Sequence, residues 1–202
     1  VQKHRVEAFS DGVIAIILTI MVLELHSPHG ATLQALFRLG SLFLSYVLSY
    51  VYIGIYWNNH HHMLVTAHRI NGKIMWANLH VLFWLSLIPF ATNWMGNNGF
   101  APMPTAFYGL IMFFAAIAYT LLQWAIVAEH GPQSALAQAV GNDGKGKFST
   151  LLYVIAIFLA FWVPWISALL YGIVAAIWFI PDKRIERTLQ NRHTPHEVEE
   201  AS

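Results

Sequence analysis

The sequence predicts an all-α polytopic membrane protein with six transmembrane helices per subunit, and three observations carry that prediction. Of its 202 residues, 57% are hydrophobic and only 10% are charged, about half the charged share of a soluble domain. The polar residues are bunched between apolar runs. No Asp, Glu, Lys or Arg occurs between Lys73 and Glu129, a length that holds two crossings of about 20 residues each. The basic residues also sort by side. With the N-terminus inside, Lys3, Arg5, Arg69, Lys73, Lys145, Lys147, Lys183, Arg184, Arg187 and Arg192 all fall on inner segments, and Arg38 alone lies outside. That is the asymmetry the positive-inside rule describes. The expected location is the cell membrane, with both termini cytoplasmic.

Taken in order, the first span covers roughly 9–25. Lys3, His4 and Arg5 precede it as in a signal peptide, but Asp11 interrupts the apolar run and no small-x-small cleavage site follows, so the helix is expected to stay. The second span covers roughly 37–57, the third roughly 74–94 with Pro89 late in it, and the fourth roughly 105–127. Gly96 to Pro104 makes an uncharged turn between the last two. Pro164 divides the final apolar run into roughly 148–163 and 165–180. Both halves are short, and a proline breaks the hydrogen-bond ladder, so a tight hairpin is expected. One long broken helix is the alternative and would give five spans. Residues 1–182 form one transmembrane domain. Residues 183–202 form a polar cytosolic tail, read as a short helix followed by disorder.

Several chemistries are excluded. The chain has no cysteine, hence no disulfide framework and no thiolate. No basic patch is interleaved with aromatics, so no nucleic-acid partner is expected. No second carboxylate shares a span with a convergent histidine, so no enzyme site and no cofactor are expected. The run Gly141 to Phe148 approaches a phosphate-binding loop, but Phe148 stands where Ser or Thr must hold magnesium and no strand precedes it. It reads as a flexible inner loop. His60, His61 and His62 invite a metal reading, but neighbours on a helix point about 100° apart and cannot converge on one ion without a partner chain. No structural metal is expected.

The first helix is the most informative stretch. It opens Arg5-Val-Glu-Ala-Phe9-Ser10-Asp11-Gly12 and then turns apolar. A carboxylate at the bilayer edge is costly and points to function; the alternative is a helix cap that complements the dipole. On a helical wheel with Asp11 at zero, Gly12, Ile16, Thr19 and Leu23 fall within about 80–140°, one narrow stripe, while Ser10 lies near 260°. The stripe is a pore face or a packing seam of small and aliphatic residues. Ser10 and Asp11 need partners. His60 or His61 and Asn78 lie at the matching depth, and together they would lock the first helix in place.

Arg5-x-x-x-Phe9-Ser10-Asp11, Ala15-Ile16-x-x-Thr19 and Leu23-Glu24-Leu25 resemble the signature of the transmembrane protein 175 family of potassium channels. Trp57-x-x-His60-His61, Asn78 and Pro89-Phe90 resemble its next two spans, and Trp178-Phe179-Ile180-Pro181-Asp182 its sixth. The resemblance implies a potassium-selective channel, assembled as a homotetramer with the first helix lining the pore. It implies a ring of Ile16 as the narrow point, a hydroxyl ring of Thr19 one turn outward and an apolar ring of Leu23. The permeant potassium would pass near Ile16 and Thr19. No Thr-Val-Gly-Tyr-Gly filter is present, so carbonyl rings of that type do not select the ion. Proton permeation, known in animal relatives with two repeats, is not readable here. From the residues alone, a proton-coupled or other secondary transporter stays open beside the channel. It would need inverted repeats and a mid-membrane charge, and neither is visible.

Overall fold

The computed structural model describes residues 2–141 and 143–179, so the tail expected over 183–202 lies outside the described residues. The described residues fold into α1 (Lys3–Leu23), α2 (Leu33–Phe37), α3 (Gly40–Thr66), α4 (Gly72–Ser86), α5 (Ile88–Asn97), α6 (Pro102–His130), α7 (Ala135–Val140), α8 (Gly144–Leu159) and α9 (Pro164–Phe179). The protein is all-α. Among the described residues, four apolar stretches are long enough to cross a bilayer: α1, α3, α4 with α5, and α6. The others are shorter. α1 packs on α3, α4 and α5, while α6 packs on α4, α5, α8 and α9.

The first helix begins earlier than the apolar run suggests. Gln2 is its N-cap residue, two turns before Ser10, so Ser10 and Asp11 are interior residues and do not cap it. α3 likewise runs past its expected end, and the histidines lie within its last turns. Thr32, Asn71, Ser134 and Asp143 cap α2, α4, α7 and α8 with their side chains.

Both prolines act as expected of a residue without an N–H. α4 ends at Ser86, and Pro89 sits in the first turn of α5. Its missing donor and its ring break the ladder at Leu87. Pro164 starts α9. The turn before it closes through Trp162 and Val163 N–H bonds to the Leu159 carbonyl. The Ser167 hydroxyl then donates to the Ala156 carbonyl at 2.7 Å, so α8 and α9 fold back on each other as a hairpin.

Two glycines permit close crossings. A Cβ at Gly96 would strike Ser45 and Leu42 of α3, and one at Gly109 would strike Tyr171 of α9 and Ile157 of α8. Between them lies a buried belt of hydroxyls. Thr92 donates to Ser49 at 2.7 Å, Ser49 to the Tyr108 hydroxyl at 3.0 Å, and Tyr52 to the Tyr171 carbonyl at 2.6 Å. Where water is absent, polar groups must pair within the protein, and these do.

Candidate functional site

α1 has two faces. Val6, Ser10, Ile14, Ile17 and Met21 are buried against the bundle. Their spacing of four, four, three and four is that of one helix face, centred near 260° on the same wheel. Gly12, Ile16, Thr19 and Leu23 are exposed, on a face centred about 150° away. Ile16 is 58% and Leu23 76% exposed. Arg5 and Phe9 are exposed too and continue that stripe toward the N-terminus. Beside it, an open groove between α1 and α5 is lined by Val13, Ile16, Ile20, Phe90 and Trp94.

Polar bonds hold the buried face near the N-terminal end. The Ser10 hydroxyl donates to the Val6 carbonyl at 2.8 Å and accepts from the Asn78 amide at 2.9 Å. The Asn78 oxygen lies 2.6 Å from Nε2 of His60. With the Asn78 oxygen as acceptor, Nε2 of His60 carries the hydrogen. Ser10, Asn78 and His60 are all buried.

Asp11 does not join them. It accepts from the Trp57 indole N–H at 2.9 Å, and Trp57 stacks on His61 with ring centroids 6.4 Å apart. The single network expected around Asp11 is therefore two: a buried group of Ser10, Asn78 and His60, and an outer pair of Asp11 and Trp57 with His61 beside it. The reason is the turn of about 100° between Ser10 and Asp11. Equal depth does not bring both to one partner. Of the three adjacent histidines, His60 turns to Asn78, while His61 and His62 meet edge to face with ring centroids 5.7 Å apart.

The other end of α1 is also tied, by a pairing that sequence reasoning did not make. The Asn93 amide donates to the Glu24 carboxylate at 2.6 Å and in turn accepts from the Asn97 amide at 2.6 Å. At the start of the helix, the Lys3 ammonium donates to the Val65 carbonyl at 2.9 Å and lies 3.7 Å from Glu7. Glu24 was noted only as part of Leu23-Glu24-Leu25, and its partner lies 69 residues away.

The sequence profile described as endosomal/lysosomal potassium channel TMEM175 matches residues 5–89. A potassium channel of Chryseobacterium sp. (strain P1-3) is 50% identical over 188 residues, covering 93% of this chain and 98% of that one. The chain belongs to the TMEM175 family of potassium channels. The TMEM175 match runs from Arg5 to the break at Pro89, so it contains both hydrogen-bonded groups and the exposed stripe. The crystal structure of a lysosomal potassium-selective channel TMEM175 homolog from Chamaesiphon minutus has the same fold, with a TM-score of 0.78 at 25% identity over 89% of this chain and 97% of that one. The endosomal/lysosomal proton channel TMEM175 of Homo sapiens is 27% identical over 180 residues, and this chain spans 35% of its length.

Proposed function

We propose that this protein is a potassium-selective channel of the cell membrane, in which four copies surround one pore lined by α1. The observation that carries this reading is the exposed face of α1. A helix pinned at both ends and buried along one side still leaves Ile16 and Leu23 uncovered. One α1 cannot enclose a path, so the face needs further copies, and closed symmetry supplies them. The potassium channel named among its relatives, half identical to it, supports the choice of ion. Each copy crosses six times, the hairpin of α8 and α9 giving the last two, with both termini in the cytosol.

Ile16 forms the narrow ring, which gates by excluding water. Thr19 stands one turn outward. Its hydroxyl hydrogen is given to the Ile16 carbonyl at 2.8 Å, which leaves the oxygen lone pairs free to meet a cation. Leu23 makes a second apolar ring about 10 Å from Ile16 along the axis, and Gly12 widens the path at the cytosolic side.

Purified protein in a planar bilayer under opposed potassium and sodium gradients tests the proposal. Unitary currents that reverse near the potassium equilibrium potential are expected. Saturating, coupled flux without unitary events would instead make it a carrier, and a monomeric mass persisting in native lipid would remove the pore.

A further inference from the structure

A cavity lies apart from α1, between α3, α6, α8 and α9, at the end of the bundle that carries the N-terminus. Its volume is about 50 Å³. Its walls are mostly apolar, with several aromatic rings among them. Tyr56 and Tyr119 meet edge to face at 6.0 Å, and Tyr153 and Trp178 close the other side.

Several polar side chains also line it, and they differ in what they are already bonded to. Gln123 is 8% exposed and lines the cavity, yet among the described residues its amide has no hydrogen-bond partner. Asn59 gives its amide hydrogen to the Ile55 carbonyl at 2.9 Å, which leaves its oxygen available. Several of the lining hydroxyls are engaged: Ser149 accepts from the Trp178 indole N–H at 2.8 Å, Thr150 donates to the Gly146 carbonyl at 2.9 Å, Thr120 to the Ala116 carbonyl at 3.0 Å and Tyr52 to the Tyr171 carbonyl at 2.6 Å. Asp143 stands at the mouth. Its carboxylate accepts from the Gly146 N–H at 3.2 Å and lies so close over that residue that a Cβ at Gly146 would collide with it. Lys145 and Lys147 occupy the same turn of α8 but do not line the cavity.

We infer that this cavity binds a small alkylammonium ion that carries at least one N–H. Each feature has a counterpart in such a ligand. The alkyl groups cover the carbon wall, the ring faces attract the positive charge, the unpaired Gln123 oxygen accepts the N–H, and the single carboxylate balances the single charge. A cluster of waters would leave most of the carbon wall unmatched. The site is independent of the pore proposed above, and its test does not rely on conduction.

Trimethylammonium is the probe, and tert-butanol, its neutral isostere, is the control. The purified full chain is followed by thermal unfolding in detergent while each is titrated. Trimethylammonium is expected to raise the midpoint saturably, and tert-butanol to leave it unmoved. Asp143→Asn keeps the cap on α8 and removes only the charge. Gln123→Leu removes the acceptor. Each should weaken the apparent affinity by roughly tenfold, the loss of one charge-assisted contact. The pore variant Thr19→Val should respond as the wild type does. Absence of a shift in the wild type, an equal shift with tert-butanol, or undiminished affinity in Asp143→Asn would each overturn the inference. Asp143→Asn decides the matter alone if Gln123→Leu does not fold.

Discussion

The two faces of α1 share one backbone and nearly one composition. Ile14, Ile17 and Met21 on one side, and Ile16 and Leu23 on the other, are equally apolar. The difference is in what the polar residues do. On the buried face Ser10 bonds across to Asn78, and Asn78 to His60. On the exposed face Thr19 bonds only its own helix. Apolarity alone does not tell a core from a pore in a membrane protein, because lipid, core and dry gate all accept aliphatic side chains. Inter-helix polar bonds do, since they fix which way the helix is turned.

Four substitutions grade that contrast. Asn78→Leu should do the greatest harm, because it leaves Nε2 of His60 unpaired, at about 1–3 kcal/mol for a buried group, and takes from Ser10 the bond it accepts, leaving only its bond to the Val6 carbonyl. The yield of assembled protein after extraction should fall steeply. Assembly at wild-type yield would mean that the buried bonds do not hold α1. Ile17→Ala opens a void behind the helix and should cost about 2–4 kcal/mol, read as a lowered unfolding midpoint. Asp11→Ala removes one bond, to a half-exposed tryptophan, and should cost only about 1 kcal/mol. A larger loss than that of Asn78→Leu would restore Asp11 as the anchor. Ile16→Asn should shift stability least, within about 0.5 kcal/mol. It should instead raise current and relax the preference for potassium over sodium, because a polar ring wets more easily. Unchanged current and selectivity would remove Ile16 as the narrow point.

Most of the fold was legible because its determinants are local. Long uncharged runs specify helices, and Pro89 and Pro164 break them wherever the tertiary setting puts them. The group of Ser10, Asn78 and His60 was visible as polar residues at one depth on three spans. Depth is set by position along the chain, but partnership is set by rotation about the helix axis, which no single span encodes. That is why Asp11 was grouped with the wrong partners and why Trp57, already noted, had no assigned bond. The tie between Glu24 and Asn93, and the cavity beside Gln123, depend on how distant helices are turned toward each other. Nothing in their sequence spacing marks them.

The proposal that the exposed face of α1 lines the pore is tested most directly by single cysteines, since the chain has none of its own. A charged, water-borne thiol reagent needs water and thiolate to react. Applied from outside during recording, it should modify cysteines at positions 19 and 23 and reduce the current. It should react slowly at 16, and not at all at the buried positions 14, 17 and 21. Reaction at 14, 17 and 21, with 16, 19 and 23 silent, would place the ion path on the opposite face and contradict the assignment.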